Sequence, residues 1–129
     1  MSRVNFNRNE DDLHLAVAGF IRSKYPKAEF NVDMSGFKLP PKLANKAKNL
    51  RSRRAWPDLF MPEPRKGYHG LYVELKIEGT QLKRKNGNWS TSHIAEQAEM
   101  LNLLSMRGYK AVFAVGIDEA MRIINQYLT

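Results

Sequence analysis

Apolar residues recur at three- and four-residue spacing through Leu13, Val17, Phe20 and Ile21, which predicts a helix with one buried stripe. Asn9 followed by Glu10, Asp11 and Asp12 suits its start, because an Asn side chain caps free amides and acids favour the positive end of the dipole. Tyr25-Pro26 ends it, since the residue before proline resists the helical region. Ala28, Phe30 and Val32 then alternate with polar neighbours as a strand does. Two further apolar runs, Asp58 to Met61 and Gly70 to Ile77, flank a turn and are expected to pair antiparallel. Ile94, Ala98, Leu101 and Leu104 predict a helix capped by Ser92, reaching about Met106 and stopped by Gly108. Lys110 to Val115 reads as a buried strand, and Asp118 to Leu128 as a closing helix with Ile123, Ile124 and Tyr127 inward.

Two stretches resist this reading. From Ser35 to Trp56, Gly36, Pro40 and Pro41 break structure, yet Leu43, Ala47 and Leu50 could line one side of a short helix with Lys42, Lys46 and Arg53 on the other. Lys83 to Asn88 is a polar turn resembling a mobile loop, with Asn86-Gly87 suited to positive φ. The expected order is helix, three strands, helix, strand, helix: an α/β domain with a mixed sheet flanked by helices. A chain of 129 residues, 43% hydrophobic, suffices for one domain and no more.

Absent residue types narrow the chemistry. With no cysteine, disulfide scaffolds, thiolate nucleophiles and iron–sulfur centres are excluded. His14, His69 and His93 are too few and scattered for a zinc site, and no glycine-rich phosphate loop supports nucleotide use. No apolar run approaches a membrane span, and the opening MSRVNFNRNEDD lacks a signal peptide's apolar stretch. The expected location is the cytoplasm of a bacterial or phage-infected cell, or the nucleus of a eukaryotic one.

The net charge of +8 favours an anionic partner, nucleic acid before membrane. Residues 34 to 66 hold nine basic and two acidic groups, so almost all the excess sits there. Lys42, Lys46, Arg51, Arg53 and Arg54, with Lys38 and Lys48, form a basic segment at about 35–56. It reads either as a phosphate-gripping surface or as a solvated loop.

Alternation along Leu71 to Ile77 puts Tyr72, Glu74 and Lys76 on one face. A carboxylate and an ammonium on a central strand are costly to bury unless paired or occupied with a ligand; an edge strand with a solvated face is the bland alternative. Asp58 heads the preceding strand, where a hairpin would set it beside Glu74 as a second oxygen ligand for a hard cation such as Mg²⁺. Lys76 would then stand near an attacking water or a developing phosphorane charge. Gln97 lies on the helical stripe between Ile94 and Leu101, where a buried amide needs partners unless it is a boundary residue. Trp56 and Trp89 suit stacking on unpaired bases, with core packing equally good for Trp56.

These residues resemble the PD-(D/E)XK nucleases, and among them the small virus-type replication-repair nucleases, the VRR-NUC family. The resemblance covers most of the chain. It is carried by Glu10-Asp11-Asp12-Leu13-His14, Pro57-Asp58-Leu59, Val73-Glu74-Leu75-Lys76, His93 through Gln97, and Gly108 through Val112. It implies a restriction-endonuclease-like core and a Mg²⁺- or Mn²⁺-dependent deoxyribonuclease acting on branched, flapped or junction DNA. Replication, recombination or repair would be its setting, with a phage origin among the expectations, and a homodimer its assembly. Asp58, Glu74, the Leu75 carbonyl and Glu10 become metal ligands, Lys76 the catalytic lysine and Gln97 the helix glutamine that supports the metal site. Apart from the resemblance, His93, one turn before Gln97 on the same helix side, joins the basic residues as a substrate contact. His14 departs from the glutamine many relatives carry, Trp56 from their small residue before the proline, and residues 79–91 look like an insertion. A noncatalytic nucleic-acid-binding module on the same scaffold is the rival reading, and a basic adaptor for an acidic protein a third.

Overall fold

The computed structural model describes residues 9–33 and 39–129. The opening segment and residues 34–38 of the basic stretch, among them Ser35, Gly36 and Lys38, lie outside the described residues. The elements run α1 (Glu10–Lys24), β1 (Asn31–Val32), α2 (Pro41–Asn49), β2 (Leu59–Met61), β3 (Leu71–Lys76), α3 (Ser92–Met106), β4 (Lys110–Val115) and α4 (Ile117–Leu128). The strands form one sheet in the order β1-β2-β3-β4, antiparallel through β3 and parallel between β3 and β4. This is the expected α/β mixed sheet with one addition, α2.

Each element follows from its sequence. Asn9 caps α1 by accepting from the Asp11 and Asp12 amides at 2.8 and 3.4 Å, which holds the acidic first turn in place. Leu13, Val17 and Ile21 bury one side of that helix against Leu71, Val73 and Leu75 of β3, and Ala120, Ile123, Ile124 and Tyr127 of α4 join them in one core. The opposite face of β3, carrying Tyr72, Glu74 and Lys76, is left for chemistry.

Several expectations need correction. The strand expected over Ala28 to Val32 pairs only at Asn31 and Val32. The basic stretch is helical at Pro41–Asn49 rather than all loop; Pro41 fits a first helical position, where its missing amide costs nothing. Among the described residues Lys110–Val115 is an edge strand, with β3 on one side and no strand on the other, and Ala114 is its one fully buried residue. Thr91, not Ser92, caps α3 by accepting from the Ile94 amide at 3.1 Å, and Met100 rather than Ala98 completes its buried stripe. Lys83 to Asn88 closes on itself: the Arg84 amide donates to the Asn88 carbonyl, and the Lys83 ammonium sits 4.8 Å from the Trp89 ring centre. Among the described residues, no helix is long and apolar enough to cross a membrane.

Gly70 sets the approach of β2 to β3. A Cβ there would stand 2.8 Å from the Met61 carbonyl oxygen and 3.2 Å from the Phe60 ring, and the backbone oxygen cannot yield without moving the strand pair. Gly70→Ala is expected to destabilise the fold by about 1–3 kcal/mol, the usual cost of overpacking, seen as a lowered urea midpoint; an unchanged midpoint would show that the two strands separate freely there.

Candidate metal centre

Leu59 pairs with Val73 and Phe60 with Tyr72. One more step of that antiparallel register sets Asp58 opposite Glu74. Both are almost wholly buried, at 6% and 3% exposure, so two carboxylates occupy one desolvated space. The Leu75 amide donates to Asp58 Oδ2 at 2.9 Å, and Gln97 Nε2 donates to Glu74 Oε1 at 2.9 Å. Lys76 Nζ stands 3.9 Å from the same Glu74 oxygen. Gln97 Oε1 is buried without a hydrogen-bond partner among the described residues.

The electrostatics follow from this crowding. Burial first, then the charge and close contact of Asp58, hold the Glu74 pKa far above the ordinary carboxylate range; Lys76 pulls the other way and does not prevail. Such a pair keeps a proton at neutral pH until something cationic replaces it.

The first turn of α1 meets the start of β2. His14 is 2% exposed, and its Nε2 lies 3.6 Å from Asp58 Oδ2. Burial opposes a charged ring, but the hydrogen bond and charge of Asp58, with Glu10 and Asp11 nearby, outweigh it and raise the His14 pKa. One ligand atom from each of Glu10, His14 and Asp58 falls within 4.8 Å of the others. Sequence reasoning assigned His14 no ligand role. The signal was present: His14 follows Glu10 by four residues, so both project from one side of α1.

A cleft of about 480 Å³ is lined by Glu10, Asp58, Glu74, Lys76, His93 and Gln97, with Arg51, Arg54, Ala55 and Trp56 on its wall; buried His14 is not among its lining residues. Of the basic residues singled out in the sequence, Arg51 and Arg54 line it, and Arg54 also reaches Glu96 of α3 at 3.2 Å. Lys42, Lys46 and Arg53 stand exposed on α2 and the turn after it, outside this lining. Leu75 contributes its amide to Asp58 and a buried side chain to the core. Ala55, just before Trp56-Pro57-Asp58, holds φ +67°, a left-handed conformation uncommon for a residue with a Cβ and often found at functional sites.

No protein-family model and no curated protein matches this sequence. Among solved structures, one described as a "VRR_NUC domain protein" superposes with a TM-score of 0.68 at 26% sequence identity, covering 99% of this chain and 91% of its own.

The charge state of Glu74 is measurable through stability. In the unfolded chain its carboxyl ionises near pH 4.5, whereas the folded protein keeps the proton to a higher pH. The raised folded pKa therefore contributes stability that is fully present below pH 4.5 and is lost as pH rises toward neutrality, at up to about 1.4 kcal/mol per pH unit. Glu74→Gln carries no such proton, and its amide can donate to Asp58 as the acid does. In calorimetry with chelator, variant and wild type are expected to melt together near about pH 4, and the variant to melt progressively higher toward about pH 7; a wild type more stable at neutral pH would show that Glu74 is ionised in the fold.

Proposed function

We propose that the chain, which superposes over 99% of its length on a structure described as a "VRR_NUC domain protein", is a nuclease of that family: divalent-cation-dependent, hydrolysing DNA phosphodiester bonds, and selective for branched, flapped or junction substrates. The observation carrying this reading is the buried Asp58–Glu74 pair with the Lys76 ammonium 3.9 Å from Glu74. Two desolvated carboxylates have little structural value, since an apolar pair would pack there without the desolvation cost. They suit a hard cation, which prefers oxygen donors.

Asp58 and Glu74 are the proposed ligands, joined by Glu10 and the Leu75 carbonyl. When bound, Mg²⁺ or Mn²⁺ would supply Lewis acidity toward the phosphodiester. The chain's own groups do the rest. Gln97 fixes one oxygen of Glu74, so its carboxylate cannot rotate out of the cleft. Leu75 does the same for Asp58. Lys76, half-buried and held beside Glu74, orients an attacking water and places positive charge where the pentavalent phosphorus gathers negative charge. Arg51 and Arg54 on the wall bind the flanking phosphates, His93 at the rim contacts the substrate, and Lys42, Lys46 and Arg53 extend the basic track beyond the cleft. Contacts of this kind fix the register of a strand without reading its bases, so cutting should be weakly sequence-selective and strongly salt-dependent. A two-fold dimer would set two such clefts against the two arms of a junction.

His14 adds a nitrogen to a set otherwise made of oxygens. Imidazole suits transition metals better than Mg²⁺, so within the proposed pair of ions this site favours Mn²⁺.

Two measurements test these assignments. On a panel of labelled single-stranded, duplex, flap and four-way DNA, wild type with Mg²⁺ or Mn²⁺ is expected to cut a branched member fastest. Lys76→Met is expected to lose about 10²–10⁴-fold in single-turnover rate while still binding Mn²⁺, and cleavage by that variant at wild-type rate would remove the lysine from the mechanism. In calorimetric titrations, His14→Gln is expected to weaken Mn²⁺ binding roughly 10–100-fold and Mg²⁺ binding much less; equal losses for both ions would make His14 a mere support for Asp58.

A further inference from the structure

A second cleft, of about 550 Å³, adjoins the first and shares Arg51, Trp56 and Asp58 with it. Its chemistry is different. Phe60 and Tyr72 lie nearly parallel, ring centres 4.4 Å apart and planes 21° from each other, and Trp56 leans on Tyr72 at 6.1 Å. Ala47 and Leu50, from α2 and its end, line the cleft as well. α2 has no buried residue, and the apolar stripe predicted for it stands open, with Leu43 52% and Leu50 75% exposed.

An occupant must meet three conditions. It needs flat apolar faces to lie against the aromatic side chains. It must be continuous with whatever reaches Asp58, because the two clefts meet there. It must also be anionic, since Arg51 lies where the clefts join and Lys42, Lys46 and Arg53 are exposed nearby in the chain. Asp33 lines this same cleft, so negative phosphates are turned toward the basic rim while uncharged bases enter. Unpaired nucleotides satisfy all three. Intact duplex does not, because its base faces are already stacked inside the helix, and an apolar peptide or lipid tail lacks the charge.

We propose that this cleft binds the unpaired nucleotides flanking the scissile phosphate, with bases stacked against Trp56 beside the Phe60–Tyr72 pair and phosphates held by the α2 cations. The proposal rests on the nuclease reading for the position of the scissile bond, and supplies a reason a branched substrate is preferred to intact duplex: a branch offers free bases beside a cuttable backbone, and duplex does not.

The test reads binding alone, so it stands even if cleavage fails. Trp89→Phe leaves Trp56 as the sole tryptophan of the two in the chain. In that protein, with chelator and low salt, a thymidine hexamer is expected to quench Trp56 emission saturably, while heparin, a polyanion without bases, binds without quenching. Trp56→Ala is expected to weaken binding of flap DNA about tenfold and of blunt duplex less than about twofold, with Trp56→Phe restoring the flap preference. Quenching by heparin equal to that by the hexamer would overturn the proposal, as would equal losses for flap and duplex. So would Trp56 emission that changes with protein concentration alone and sediments as a dimer lost in Leu50→Ser, because the cleft would then hold a second copy of the chain.

Discussion

The pairing of β2 with β3 forces two carboxylates into one desolvated space, and most of what distinguishes this molecule follows from that constraint. A register slip of one residue would turn Asp58 away from Glu74 and put Leu59 and Met61 on the wrong side of the sheet. The core prevents it: Leu59, Met61, Leu71, Val73 and Leu75 are all buried on the face shared with α1 and α4. Hydrophobic burial on one face thus fixes the geometry of charge on the other. The polar supports are local. Gln97 holds one carboxyl group and the Leu75 amide the other.

Much of this was legible in the sequence, and the limits have physical reasons. Period-two alternation over Leu71 to Ile77 and the short run after Pro57 gave a hairpin whose facing residues include Asp58 and Glu74. The helical stripe of α3 gave Gln97 as a buried amide, and the structure supplies its partner. Pattern failed where no core imposes a period. α2 buries nothing, so its apolar residues at 43, 47 and 50 carried no more weight than the prolines before them. Among the described residues β1 pairs only with β2 and is two residues long, too short for alternation to mark its bounds. The half-exposed character of β4 depended on sheet order, which a lone run of apolar letters does not encode.

His14 was missed for a different reason. A histidine between Leu13 and Val17 reads as a satisfied core residue, and nothing on α1 reveals that Asp58 arrives beside it from a loop more than forty residues on. Its position four residues after Glu10 becomes informative only when that carboxylate is in place. A histidine at this position bears on chemistry: an amide could only donate or accept a hydrogen bond there, whereas an imidazole can also bind a proton or a metal.

The two clefts divide the demands of one substrate between surfaces with incompatible solvation. Glu10, Glu74, Lys76 and Gln97 line the polar cleft alone, Phe60 and Tyr72 the apolar one alone, and Asp58 lies where the two meet. Trp56 forms part of both walls, with Pro57 then restricting the chain into Asp58. The left-handed backbone at Ala55 costs about 1–2 kcal/mol and is retained one residue before that junction. A relaxed conformation at Ala55 would redirect Trp56, whereas the β2–β3 register and the Leu75 amide would still hold Asp58 opposite Glu74. Strain at a single residue thus bears on the aromatic wall, while strand pairing secures the acidic pair, and the two meet at Trp56-Pro57-Asp58, where the part of the molecule suited to bases joins the part suited to phosphate.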